Sequence, residues 1–182
     1  MIWLVLGLAL WFAAHLFKRI LPAQRKALGD PGKGLVAGAI LLSVVLMVIG
    51  YRGAEGAFFW GRSPAMVGVN NLLMVFAVYL FAASGAKTWI TSKIRHPQLT
   101  AVKVWCVSHL LVNGDTPSFV LFGGLLIWAV VEVIVINKAD GRPEPTTGPW
   151  DRAKEIKAGV GTVIVFSVVA GIHAWLGYVP FG

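Results

Sequence analysis

In the stretch RHPQLTAVKVWCVSHLLVNGD, Lys103, Cys106, His109 and Asn113 recur every three or four residues. At about 100° per residue a helix gathers such positions within roughly a third of its circumference. Cys106 and His109, one turn apart, could supply half of a metal site. Two more histidines, His15 and His173, fall in apolar segments elsewhere. Neutral imidazole is the commonest metal ligand in proteins, and two imidazoles across a haem iron need no other protein donor. A lone histidine in an apolar helix is more often a core group hydrogen-bonded to a neighbouring helix. Three in one small bundle, with Cys106 beside one of them, raise the standing of a ligand role. A closed zinc site wants four N or S ligands and favours local pairs such as C-x-x-C, and no such zinc pattern is present beyond the half-site of Cys106 and His109. Haem, flat and apolar, suits a helical bundle better than a naked ion does.

The elements that must position these residues lie in a chain of 182 residues, 57% hydrophobic and 13% charged, with a net charge of +8. The mean hydropathy is +0.76. Soluble domains carry about 25% charged residues; 16 basic and 8 acidic side chains cannot clothe a water-facing surface. The expectation is an all-α, polytopic transmembrane bundle of about six spans, forming one domain over residues 1–182. The positive charge sits in short segments between apolar runs and offers no free basic face, which argues against nucleic acid and for membrane orientation. The single cysteine, Cys106, excludes an internal disulfide.

The spans are expected near Ile2–Phe17, Leu35–Tyr51, Asn71–Ala86, Gln98–Val112, Ser118–Ile136 and Ala158–Val179. The fourth is the weakest, because Lys103 interrupts it, and a partial or re-entrant helix is an alternative there. Lys18 and Arg19 follow the first apolar run rather than precede it, and no A-x-A site appears, so this run reads as a retained span and not a secretion signal. The connections 18–33, 87–97 and 137–157 hold thirteen Lys and Arg, whereas 52–70 and 113–117 hold two. The basic set should face the cytoplasm of a bacterial inner membrane, placing both termini on the periplasmic side. Asn113-Gly114-Asp115-Thr116-Pro117 reads as a tight turn joining spans four and five as an antiparallel hairpin, and Arg142–Trp150 reads as a surface loop.

Ionisable groups inside a span are functional candidates by default. Glu132, the lone acid within a span, could pair with Lys103 across the expected hairpin. Arg95-His96-Pro97 reads as the start of a helix, with Pro97 in the first turn where its missing N–H costs nothing. By helical rise His109 lies ~18 Å beyond Pro97 and His173 ~22 Å into its span, which favours these two as an axial pair. If Lys103 marks the interface instead, His109 falls to ~9 Å and His15 returns within reach.

The pattern RHP, then W-C-x-x-H-L, then NGD and a glycine-containing apolar helix resembles the NnrU family of integral membrane proteins. His15 and the closing HAWLGYVPF also match, so the resemblance covers essentially the whole chain. It implies support of nitrite and nitric oxide reductases in denitrification. It also implies kinship with 15-cis-zeta-carotene isomerase, a haem b membrane enzyme whose reduced iron drives a cis-to-trans double-bond change. The isomerase's haem ligands match His15 and His109, with Cys106 as an alternative ligand, so the resemblance orders the candidates His109, His15, His173. Lys103 and Arg95 then become candidates for haem propionates, and Trp105 and Trp11 for packing against the macrocycle. Arg95-His96-Pro97 is also similar to membrane methyltransferases that bind S-adenosylmethionine, although their paired downstream glutamates are missing here. A non-catalytic assembly factor is the third reading.

Overall fold

The computed structural model describes residues 1–141, 150–178 and 180. Most of the expected surface loop Arg142–Trp150, and Val179 and Phe181 of the closing motif, lie outside the described residues. The elements in order are α1 (Ile2–Ile20), α2 (Pro22–Ala27), α3 (Pro31–Arg52), β1 (Phe58–Trp60), α4 (Pro64–Ala86) and a 3₁₀ turn at Trp89–Ser92. Beyond them come α5 (Pro97–Val112), β2 (Gly114–Asp115), α6 (Thr116–Asp140) and α7 (Arg152–Trp175). Within α6, Phe119–Gly123 adopts one π-helical turn.

Among the described residues five helices, α1, α3, α4, α6 and α7, are long and apolar enough to cross a membrane. The fourth expected span, α5, has 16 residues, about 24 Å at the helical rise, short of a ~30 Å hydrocarbon core. The all-α membrane fold is as expected, and α5 is the span the sequence marks as weakest. Large apolar side chains point outward, as at Leu72 (73% exposed) and Leu41 (67%). Small ones pack inward, among them Ser43, Ala77, Ala83, Ala101 and Ala129. This inverted pattern suits lipid, where close backbone approach rather than exclusion of water holds helices together.

The helices group into two compact units: residues 1–59 with 114–141, and residues 60–113 with the described residues from 150 onward. In unit 1, α1 packs against both α3 and α6. The α1–α3 crossing is antiparallel and depends on two glycines. A Cβ on Gly7 would lie 2.8 Å from the Met47 backbone nitrogen, and one on Gly50 2.6 Å from Leu4 Cα. Against α6, α1 runs parallel: Leu8 meets Gly124, His15 meets Trp128, and Arg19 meets Asp140. In unit 2, α4 is the shared partner of α5 and α7. There Glu155 ties three elements together, accepting from the Tyr79 hydroxyl at 3.1 Å and from the Trp89 N–H at 2.8 Å.

The two helices of the expected α5–α6 hairpin fall in different units. Gly114–Asp115 is a short strand, β2, paired with β1, and the chain passes from unit 2 to unit 1 at that point. Asp115 caps α6 by accepting the Ser118 N–H at 2.8 Å. The turn residues do break the chain where the sequence predicts, but α6 then packs on α1, its small and aromatic positions matching that helix. The expected partners Lys103 and Glu132 therefore belong to different units. Within unit 1, Arg19 stands on the helix packed against α6 and pairs with Asp140 at its end.

Candidate functional site

Each unit carries one histidine in the same local device, a tryptophan four residues ahead of a histidine on one helix: Trp11–His15 on α1 and Trp105–His109 on α5. In both, the imidazole turns back along its own helix. His15 Nδ1 donates to the Trp11 carbonyl at 2.9 Å, and His109 Nδ1 donates to the Trp105 carbonyl at 3.0 Å. His173 on α7 does the same to Val169 at 2.8 Å. A carbonyl can only accept, so Nδ1 must carry the hydrogen in each case. The neutral ring then has its lone pair on Nε2, which leaves that nitrogen open to a metal, and a backbone carbonyl commonly fixes this tautomer in metal-binding histidines.

Around His15 the walls are aromatic. Its ring centroid lies 4.1 Å from that of Trp11 and 4.8 Å from that of Trp128, and the two indoles meet edge-on at 5.1 Å. One turn beyond Trp128 on α6 stands Glu132, 9% exposed. One turn beyond His15 on α1 stands Arg19, paired with Asp140 at the end of α6. The Trp11 indole N–H, the Trp128 indole N–H and Glu132 Oε2 are all buried with no hydrogen-bond partner among the described residues.

Around His109 the polar groups are paired. Asn113 Nδ2 donates to the His109 carbonyl at 2.8 Å, and the Trp60 indole donates to the Leu110 carbonyl at 3.2 Å. Ser108, fully buried, donates its hydroxyl towards Asn70, 2.6 Å from Oδ1 and 3.0 Å from the carbonyl. Asn70 in turn donates to Asn71 Oδ1 at 3.0 Å. His173, in the same unit, lies within electrostatic range of His109.

The sequence stripe is only partly the packed face of α5. Cys106 is fully buried and His109 half-buried, as expected of an inward stripe, and Val107 between them is exposed. The seam that docks on α4, however, runs through Ser108, with Ala101 and Val112 buried on the same helical line. His109 stands beside that seam. Lys103 is half-buried on α5, whereas Arg95 is exposed and His96 half-buried in the bend before it. Pro97 occupies the first turn of α5, as the helix-start reading predicts.

Sequence reasoning missed Trp128, Ser108 and Asn70. A signal was available for the first: Trp128 and Glu132 stand four apart on α6, as Trp and His do on α1 and α5. Among the described residues no three His, Cys, Asp or Glu side chains gather to hold a metal ion. A haem asks for less, one or two axial nitrogens and apolar walls. The neutral imidazoles of His15 and His109, each with an indole ring alongside, are the groups here that could serve as such nitrogens.

The sequence profile of a family described as NnrU protein matches residues 3–181, across both units. No curated protein and no solved structure matches the chain.

Proposed function

The chain belongs to the NnrU family, and on that premise we propose that it is an integral membrane protein that binds haem b. The reading extends to a supporting role in nitrite and nitric oxide reduction, alongside those reductases, or to a redox isomerisation of the kind the family resemblance implies. The observation that carries it is the shared tautomer of His15, His109 and His173, each held by a backbone carbonyl so that Nε2 bears the lone pair. Bound haem would supply a one-electron iron couple.

The chain's own residues do the rest. The carbonyls of Trp105 and Trp11 orient the imidazoles. The Asn113 side chain and the Ser108–Asn70 network fix the last turns of α5 and hence His109. His109 provides the first ligand, and His15 and His173 are the two candidates for the second. Cys106, one turn from His109 and fully buried, is the alternative ligand that the family resemblance adds for another iron oxidation state. Lys103 on α5 and Arg95 just before it are the candidate cations for propionates. The lipid bilayer is the solvent of the five long helices, and the basic connections face the cytoplasm.

An optical spectrum of the detergent-purified protein, produced with an ample haem supply, tests the reading. A Soret band is expected, abolished in His109→Ala. His15→Ala and His173→Ala then separate the second ligand: the true one yields a five-coordinate high-spin spectrum and the other leaves the spectrum unchanged. Absence of a Soret band in the unsubstituted protein overturns the proposal. Saturable S-adenosylmethionine binding lost in His96→Ala would replace it with the methyltransferase reading, and absence of both signals with the assembly factor.

A further inference from the structure

Glu132 has no part in the haem reading, yet its placement is costly. It sits in the apolar helix α6, 9% exposed, with Oε2 lacking any hydrogen-bond partner among the described residues. An ionised carboxylate so placed must have a counter-charge within reach or take up a proton. Arg19 and Glu132 each stand one turn beyond the His15–Trp128 contact, but the Arg19 guanidinium is bonded to Asp140. Arg19 is the more sheltered member of that pair, its side chain 21% exposed against 54% for Asp140. One sheltered cation thus serves an end of α6 that carries two carboxylates, one exposed and bonded to it and one buried.

Charge counting sets the consequence. With both acids ionised, Arg19, Asp140 and Glu132 together carry one negative charge within an apolar unit. With one proton held, they are neutral. Asp140 has both water and the guanidinium, so the proton belongs on Glu132. The remaining ionisable groups facing this end are few. The helix packed against α6 carries His15 and Lys18 besides Arg19, and α6 itself carries Lys138.

We propose that Glu132 is a proton-exchange site of unit 1, opened and closed by Arg19 as its guanidinium alternates between Asp140 and Glu132. In the closed arrangement Glu132 holds the proton and Arg19 holds Asp140. In the open one Arg19 moves inward onto ionised Glu132, the proton leaves to water at the rim, and Asp140 remains ionised in solvent. The exchange moves one proton and no electrons. It stands independently of haem, although it lies beyond His15 towards the same rim and would couple to any charge change there.

Infrared spectra of the full chain in lipid vesicles, prepared without haem, test this. At neutral pH the unsubstituted protein should show a protonated-carboxyl stretching band that shifts in heavy water and is lost in Glu132→Gln. Asp140→Asn, a change at an exposed position with little risk to folding, leaves Arg19 free for Glu132. It should abolish the band at neutral pH and restore it on acidification. Arg19→Gln should retain the band to higher pH. Absence of the band from the unsubstituted protein, its persistence in Glu132→Gln, or its indifference to Asp140→Asn would each overturn the proposal. None of these outcomes depends on a Soret band, so this proposal and the haem reading fail separately.

Discussion

His15 and His109 occupy the same local device in the two units, and their surroundings differ in how polar groups are satisfied. Beside His109 the side chains of Asn113, Ser108, Asn70 and Trp60 all find partners. Beside His15 two indole N–H groups and a carboxylate oxygen find none among the described residues. A paired network in a low-dielectric setting fixes geometry, and an unpaired group there is retained at a cost. The contrast assigns different tasks: unit 2 holds its imidazole in a set orientation, and unit 1 keeps hydrogen-bonding capacity in reserve. The units also close differently. Unit 1 is held by backbones touching at Gly7 and Gly50, whereas in unit 2 a Cβ on Gly161 would meet Ala82 Cβ at an ordinary 3.8 Å.

The largest effect expected from this contrast is in the closures. Gly50→Val should cost about 3 kcal/mol or more, because the branched side chain meets the α1 backbone and neither helix can yield without separating. Gly161→Ala should change stability by less than about 0.5 kcal/mol. Unfolding curves in detergent would check both. Equal losses at the two positions would remove the distinction between the units.

Next come the polar groups. Asn70→Ala leaves the Ser108 hydroxyl without its side-chain acceptor inside unit 2 and should destabilise by about 1–2 kcal/mol. Glu132→Met removes an unsatisfied oxygen at similar volume and should be neutral or stabilising by about 1–3 kcal/mol. Opposite signs for two polar-to-apolar changes would confirm that one network is complete and the other open. Destabilisation by Glu132→Met would mean that its oxygen has a partner in the membrane.

Much of this fold is legible in the sequence because lipid imposes few solutions. Apolar runs of sufficient length become helices, and Pro22, Pro31, Pro64 and Pro97 each open one. Grouping is not legible. A tight turn between adjacent apolar segments predicts a hairpin, but α5 docks on α4 through Ser108, and α6 docks on α1 through Gly124 and Trp128. Partner choice in a bilayer depends on matched small residues and on single hydrogen bonds, which hydrophobic periodicity does not encode. At the sites, His15, His109 and Glu132 stand out because ionisable groups are rare in such helices. Trp128, Ser108 and Asn70 do not, since a buried indole, hydroxyl or amide is distinguished only by what lies across from it.

The smallest effect concerns the Arg19–Asp140 pair. It joins the ends of α1 and α6, and a view of unit 1 as held by charge would make it a main clasp. Asp140 is 54% exposed, however, and solvent-exposed ion pairs contribute only about 0–1 kcal/mol after screening and side-chain ordering are counted. Asp140→Ala should therefore lower stability by less than about 1 kcal/mol, with the difference shrinking further in high salt. A loss matching that of Gly50→Val would show that the pair clasps the unit. A small loss, measured with the carboxyl band of Glu132 disappearing, would place its role in controlling where Arg19 points.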